Sequence, residues 1–199
     1  IYGRPTEALR VVGITGTNGK TTSTGIVAQA LSAAATPATI GTLGFGLLGE
    51  LTPLTPTSPE ADELPRIARL LCDRGADHLV MEVSSIALAA GRVDEVAFDV
   101  VAFTNLSQDH LDYHGSMEAY AAAKRRLFFE HGASHAVINV DDAFGRALAD
   151  EVAAAGQIAL IRVGRDGDCR PLGAEPGPAG TRVDLDVMGE AISLTVPLV

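Results

Sequence analysis

The chain has 199 residues, 47% of them hydrophobic, with 25 acidic side chains against 15 basic ones and a formal net charge of -10. That length suits one large or two small domains with a real core, and the acidic balance argues against nucleic acid or an anionic lipid surface as partner, since both need a basic face. No run approaches the roughly 18 apolar residues of a membrane span, the N-terminus IYGRPTEALR lacks a signal-peptide pattern, and Cys72 and Cys169 belong to no metal-binding or disulfide spacing, so a soluble chain in a reducing cytoplasm is expected.

In chain order, Arg10 to Thr15 reads as a strand and Thr21 to Ala34 as a helix, followed by a strand over Ala38 to Leu43. A helix over Asp62 to Arg74 has an ambiguous start, because Pro65 allows it to open at Ser58-Pro59 or to be capped by Asp62. Strands over Leu79 to Val83 and Val100 to Thr104 precede a helix over Met117 to Glu130, with Ser116 as N-cap and Glu118 in the first turn. Ala136 to Val140, Ala143 to Ala154 and Ile158 to Val163 complete a strand, a helix and a strand. Most of these strands are near-continuous aliphatic runs such as VVGIT and DVVAFT, the pattern of strands covered on both faces. Gly164 to Gly180, rich in Gly, Pro and charge, reads as a loop, and TRVDLDV and AISLTVPL flank Gly189-Glu190 as an antiparallel hairpin. The expected fold is α/β: a doubly wound, mainly parallel sheet with a P-loop, plus a C-terminal antiparallel hairpin.

The sharpest local signal is RVVGITGTNGKTTSTGIVAQAL, a strand that runs through Gly16, Thr17, Asn18, Gly19, Lys20, Thr21 and Thr22 straight into a helix. Glycines let successive backbone N–H groups turn toward phosphate oxygens, and the helix N-terminus adds partial positive charge. In such a loop Lys20 bridges the β- and γ-phosphates and the Thr21 hydroxyl ligates Mg²⁺. The match to G-x-x-x-x-G-K-[ST] is imperfect, since Ile14 stands where the first glycine belongs. The loop is read as binding a nucleoside triphosphate.

GTNGKTT, together with LTPTSPEADEL, VMEVSSIAL, FTNLSQDHLDYHGSMEAYAAAKRRLF and VINVDD in that order, resembles the Mur ligase family, and most of all its MurE type. The resemblance runs from Tyr2 to about Val163 and covers the final hairpin only loosely. It implies an ATP-dependent amide-bond ligase of peptidoglycan precursor synthesis, which activates the carboxylate of UDP-N-acetylmuramoyl-L-alanyl-D-glutamate as an acyl phosphate and lets an amino acid attack it. ATP and Mg²⁺ are the implied cofactors, and UDP-muramoyl-dipeptide and an amino acid the implied partners. Carried over residue by residue, the resemblance makes Glu82 a Mg²⁺ ligand beside Thr21, His110 a ligand for a second Mg²⁺, and Lys124 a carbamylated lysine beside the metal. Lys20, Lys124 and His110 are then the catalytic candidates. Thr57, Ser58, Ser84 and Arg92 fall where the family holds the muramoyl-dipeptide, and Asn139 falls on the adenine side. From the residues alone, Glu82 could equally be an exposed strand-end glutamate, Lys124 a surface helix lysine, and Asn139 and the serines ordinary turn or cap residues. Asp109, Asp112 and His114 are expected to order the loop around His110.

Departures from the MurE pattern are Ile86, where a histidine is usual, and Ala90, where a glutamine contacts substrate. Both suggest altered substrate contacts, as in a divergent paralogue. The resemblance also implies that residues 1–10 are a linker and 11–199 the central domain of a three-domain enzyme, so that this stretch alone binds Mg-ATP weakly, does not complete ligation and is a monomer. A folylpolyglutamate synthase-like ligase and a non-catalytic nucleotide-binding domain are the competing readings. A P-loop kinase or GTPase is more distant, given Ile14 and the lack of a guanine-reading motif.

Overall fold

Aliphatic strands without a polar face need cover on both sides, and the computed structural model, which describes residues 2–54 and 58–196, supplies it. Among the described residues the strands are β1 (Arg10–Thr15), β2 (Pro37–Gly41), β3 (Gly44–Leu47), β4 (Glu50–Thr52), β5 (His78–Glu82), β6 (Val100–Phe103), β7 (His135–Asn139), β8 (Ala159–Val163), β9 (Cys169–Gly177), β10 (Gly180–Val187) and β11 (Glu190–Val196). They form one sheet in the order β11-β10-β9-β8-β7-β6-β1-β5-β2-β3-β4. The helices are α1 (Lys20–Leu31), α2 (Glu63–Asp73), α3 (Ser85–Ala89), α4 (Leu111–His114), α5 (Met117–Phe129) and α6 (Ala143–Ala155).

From β2 across to β8 the strands are parallel. The chain runs outward from β1 to β2 and then returns past β1 to β6, so the strand order reverses beside β1. Open α/β sheets bind ligands at the carboxyl ends of strands at such a reversal, which here means the ends of β1, β5 and β6. Side-chain alternation sorts the core. Val11, Leu79, Met81, Val101 and Phe103 join a large cluster with Ile67, Leu71, Leu88, Leu127, Phe128, Leu148 and Val152 of four helices. Their neighbours Val12, Ile14, Val80 and Ala102 face the other way, against Val27, Ala28 and Leu31 of α1. No described helix is long and apolar enough to cross a membrane.

Helix starts follow the expected chemistry in part. The Ser116 hydroxyl accepts from the Ala119 amide at 3.2 Å. Asp62 occupies the N-cap position of α2 but its side chain makes no capping bond, and Pro65 sits in the first turn, where a missing N–H costs nothing. Asp142 caps α6 through the Gly145 amide at 2.9 Å and takes the Leu106 amide, also at 2.9 Å, on its other oxygen. Asp142→Ala removes a cap and orphans a second amide, so a loss of about 2 kcal/mol is expected, read as a lowered denaturant midpoint with unchanged slope.

The C-terminal region bears out the antiparallel hairpin as β10 and β11 and corrects the expectation of a loop over Gly164 to Gly180. Cys169–Gly177 is a strand, so the unit is a three-stranded antiparallel meander joined to β8 through the pair Val163 and Cys169. The register jumps from Gly173 opposite Asp184 to Pro171 opposite Leu185, leaving Leu172 as the extra residue of a bulge. Bulges and edges are where sheets accept proline, so composition alone misread the segment. The β10–β11 turn centres on Met188 and Gly189, with φ of 56° and 94°, the two positive angles of a type I′ turn. Cys72 and Cys169 are both free. The half-buried Cys72 thiol donates to the Pro5 carbonyl, and burial pushes its pKa up.

Candidate active site

The loop from Gly16 to Gly19 joins β1 to α1, with Gly19 at the N-cap in a left-handed conformation, φ 83°. The segment after β6 braces it from the neighbouring strand. The amides of Thr17 and Asn18 donate to the Asn105 backbone oxygen at 2.8 Å and to its side-chain oxygen at 3.0 Å. The Asn105 side-chain nitrogen and the Thr104 hydroxyl both donate to the Asn18 carbonyl, at 3.0 and 2.7 Å. Beyond those two inward-turned amides, the amides of Gly19, Lys20, Thr21 and Thr22 find no acceptor among the described residues. They form a row of donors at the positive end of α1.

Two lysines converge on the same loop. Lys20 Nζ donates to the Gly16 and Thr17 carbonyls at 3.0 and 2.9 Å, and Lys124 Nζ donates to the Gly16 carbonyl at 2.8 Å. Neither forms an ion pair with a described carboxylate. Lys124 is 1% exposed, which rules out a surface helix lysine. Burial, and after it the nearby Lys20 charge, lower the Lys124 pKa to about 7 against the opposing pull of Asp109. Burial also lowers the pKa of Lys20, while Glu82 and Asp109 raise it. Two poorly compensated ammonium groups beside four free amides are what a phosphate chain needs and what a folded protein otherwise avoids.

Glu82 ends β5 at 1% exposure, so it is not a solvent-facing strand end. Its two carboxylate oxygens accept from the Thr42 amide at 2.9 Å and the Thr42 hydroxyl at 3.1 Å. Thr21 and Glu82 line one cleft of about 100 Å³. His110 is exposed and holds a left-handed backbone, φ 50°, with its amide donating to Asp109 Oδ1 at 2.9 Å. A non-glycine residue in that region is a strained position of the kind found at functional sites. His114 Nε2 lies 2.9 Å from the Ser85 hydroxyl, which ties this segment to α3, and burial lowers its pKa. No cluster of three or more His, Cys, Asp or Glu side chains suited to a metal occurs among the described residues.

The remaining candidates form a second group. Ser84 caps α3 by accepting the Ala87 amide at 3.1 Å, and its hydroxyl lies 3.2 Å from that of Ser58. Arg92 pairs with Glu60 at 2.8 Å and donates to the Ser58 carbonyl at 3.4 Å, while its Nε is buried without a partner among the described residues. Thr57 lies outside the described residues. Asn139 lines a cleft of about 580 Å³ with Ile14, Gly19, Val27, Ala102 and Pro171, on the sheet face beside α1. Its amide already bridges the Thr104 carbonyl and the Asp141 amide, at 2.6 and 3.0 Å. A larger cleft of about 700 Å³ lies at the amino ends of the strands, where its charged residues pair with one another (Arg10 with Asp99, Asp77 with His78).

Sequence reasoning missed Thr42, Thr104, Asn105, Ser107 and Tyr120. Thr104, Asn105, Ser107 and Tyr120 lie inside the stretch FTNLSQDHLDYHGSMEAYAAAKRRLF that carries the resemblance, but nothing local marks them as braces of the loop, and Thr42 follows a strand end in a type that carries no motif.

The profile of the Mur ligase middle domain matches residues 14–199. A UDP-N-acetylmuramoyl-L-alanyl-D-glutamate--2,6-diaminopimelate ligase from Xanthomonas campestris pv. campestris (strain 8004) is 53% identical over 149 residues, covering 74% of this chain and 30% of the relative. The protein of that name from Pseudomonas aeruginosa is 50% identical over 151 residues, covering 75% and 31%. A solved structure of a ligase with the same name superimposes with a TM-score of 0.87 at 33% identity, over 96% of this chain and 39% of that one. The chain thus spans about 30% of the length of the curated relatives it matches.

Proposed function

Because this chain belongs to the Mur ligase family, we propose that it is the nucleotide-binding middle domain of an ATP-dependent ligase that adds an amino acid to UDP-N-acetylmuramoyl-L-alanyl-D-glutamate. In this reading residues 1–10 are a linker and 11–199 the domain. The observation that carries it is the pair of ammonium groups, half-buried Lys20 and buried Lys124, meeting at the Gly16 carbonyl beside four amides with no acceptor among the described residues. The relatives named for 2,6-diaminopimelate make that the first amine to test.

The reaction moves the γ-phosphoryl group of ATP to the dipeptide carboxylate, after which the amine displaces phosphate. Two anions must approach, so the site has to supply positive charge without supplying water. The Gly19 to Thr22 amides and Lys20 hold the phosphate chain in line. Bound Mg²⁺ neutralises charge on the transferring phosphoryl group. Glu82 and Thr21 are the side chains that would hold one ion, and His110 would hold a second. Lys124, with its pKa near 7, sheds at neutral pH and slightly above much of the charge that blocks addition of CO₂, which fits a carbamate there. Ser58, Ser84 and Arg92 would meet the dipeptide, and the cleft lined by Asn139 and Val27 would take the adenine.

The test is phosphate release by the full-length protein given Mg-ATP, the UDP-muramoyl-dipeptide and 2,6-diaminopimelate. Release that requires all three supports the reading. Release with folate and glutamate instead replaces it with a folylpolyglutamate synthase-like activity, and nucleotide binding without release under either condition leaves a non-catalytic module.

A further inference from the structure

Tyr120 occurs in no part of the reaction described above, yet it contacts the phosphate loop at Thr17, Lys124 and the segment that carries His110. It is 1% exposed on α5, one turn before Lys124. The face of its ring lies 4.4 Å from Lys124 Nζ. Its ring also packs against those of His114 and His110, with centroids 5.3 and 6.2 Å away. Its hydroxyl lies 3.1 Å from the Thr17 hydroxyl in the phosphate loop.

The direction of that last bond follows from counting protons. The Thr17 hydroxyl has one hydrogen, and it donates to the Ser107 carbonyl at 3.1 Å while accepting the Ser107 amide at 3.0 Å. Its remaining lone pair can only accept, so Tyr120 O–H is the donor. The Thr17 side chain is then saturated, and three separate pieces of chain (loop, β6 segment and α5) are locked through one oxygen.

We propose that Tyr120 is a positioning residue: its hydroxyl fixes the phosphate loop through Thr17, and its ring fixes Lys124 and the His110 segment against that loop. The inference rests on the ligase reading above. It assigns the two ends of one side chain to two different steps. The hydroxyl governs how well the loop is preformed for nucleotide, and the ring governs the placement of Lys124 and His110 at the reacting end.

The experiment uses the full-length protein with Tyr120→Phe, Tyr120→Leu, Thr17→Val and the double variant Tyr120→Phe/Thr17→Val. Dissociation constants for a non-hydrolysable ATP analogue are measured alongside kcat and KM. Tyr120→Phe is expected to weaken nucleotide binding about three- to tenfold with kcat within twofold. That effect should vanish in the Thr17→Val background, because both changes remove the same link. Tyr120→Leu should lower kcat at least tenfold in addition, as it also removes the ring. Normal nucleotide affinity in Tyr120→Phe, or additive effects in the double variant, overturns the proposal, and this arm decides even if the leucine variant fails to fold. A wild-type protein that binds the analogue while Tyr120→Phe matches it refutes only this inference. A wild-type protein that binds no nucleotide refutes the ligase reading and the inference with it.

Discussion

Lys124→Met is expected to lower ligase turnover by at least about a hundredfold and at the same time to make the protein more stable at pH 7. The first effect follows from removing a positively charged or carbamylated group from the place where phosphoryl transfer needs it, where loss of one preorganised contact commonly costs that much. The second follows from burial. The amine holds its proton less tightly in the folded chain, at about 7, than the ordinary value of 10.5. The unfolded chain therefore binds more protons between those limits. Stability contributed at this site rises with pH from about 7 to about 10.5, and is flat below and above that window. At pH 7 nearly the whole penalty is in force, on the order of a few kcal/mol. Methionine is similar in length and carries no charge, so it removes the penalty without leaving a large cavity. Denaturant melts in bicarbonate-free buffer should show the variant ahead of wild type at pH 7, with the gap closing towards pH 10.5. A variant with wild-type turnover would remove Lys124 from the mechanism, and one that is less stable at pH 7 would contradict the account of its burial.

That conflict between local stability and function explains which parts of the site were legible in the sequence. Strand β1, the glycine loop and α1 were visible because period, turn chemistry and motif agree over the whole stretch from Arg10 to Leu31. Lys124 was visible only through family resemblance, since a lysine in AYAAAKRRLF has the pattern of an exposed helix residue. Its burial comes from tertiary packing against the loop, which no local window contains. Tyr120, Asn105 and Thr104 lie in a stretch that carries the resemblance, yet their role was not legible, because they hold the loop from strands and helices distant in sequence.

The fold divides in the same way. Long aliphatic strands and capped helices were placed within a few residues of where they lie. Strand β3 was missed because Gly44 and Gly46 dilute the pattern, and β4 because three residues are too few to show an alternation. The structure needs those glycines, since a Cβ on each would come within 2.2 and 2.1 Å of the Thr52 and Glu50 carbonyl oxygens. The one-turn helices α3 and α4 are shorter than any helical period can register. In β9, proline and glycine outweighed a pairing that comes almost wholly from β10, with a single pair to β8.

Gly16→Ala is the substitution expected to damage the loop most. Gly16 has φ 146°, a conformation that L side chains rarely adopt. A Cβ there would fall 1.9 Å from the Thr104 hydroxyl and 3.1 Å from the Asn105 amide. The hydroxyl cannot simply rotate away, because it donates to the Asn18 carbonyl at 2.7 Å. The Gly16 carbonyl is also the acceptor shared by Lys20 and Lys124. Any shift that relieves the clash therefore moves the brace from β6, both lysines and the row of free amides together. The expected result is a stability loss of about 2–3 kcal/mol and a fall in Mg-ATP affinity of at least about thirtyfold. Gly25→Ala is the control: Gly25 lies in α1, where a Cβ would meet nothing within 4 Å, so alanine there should leave affinity unchanged and slightly favour the helix. Calorimetric melting and titration with a non-hydrolysable nucleotide separate the two variants. Wild-type nucleotide affinity in Gly16→Ala would show that the arrangement of Lys20, Lys124 and the loop amides around Gly16 is not what holds the phosphate chain.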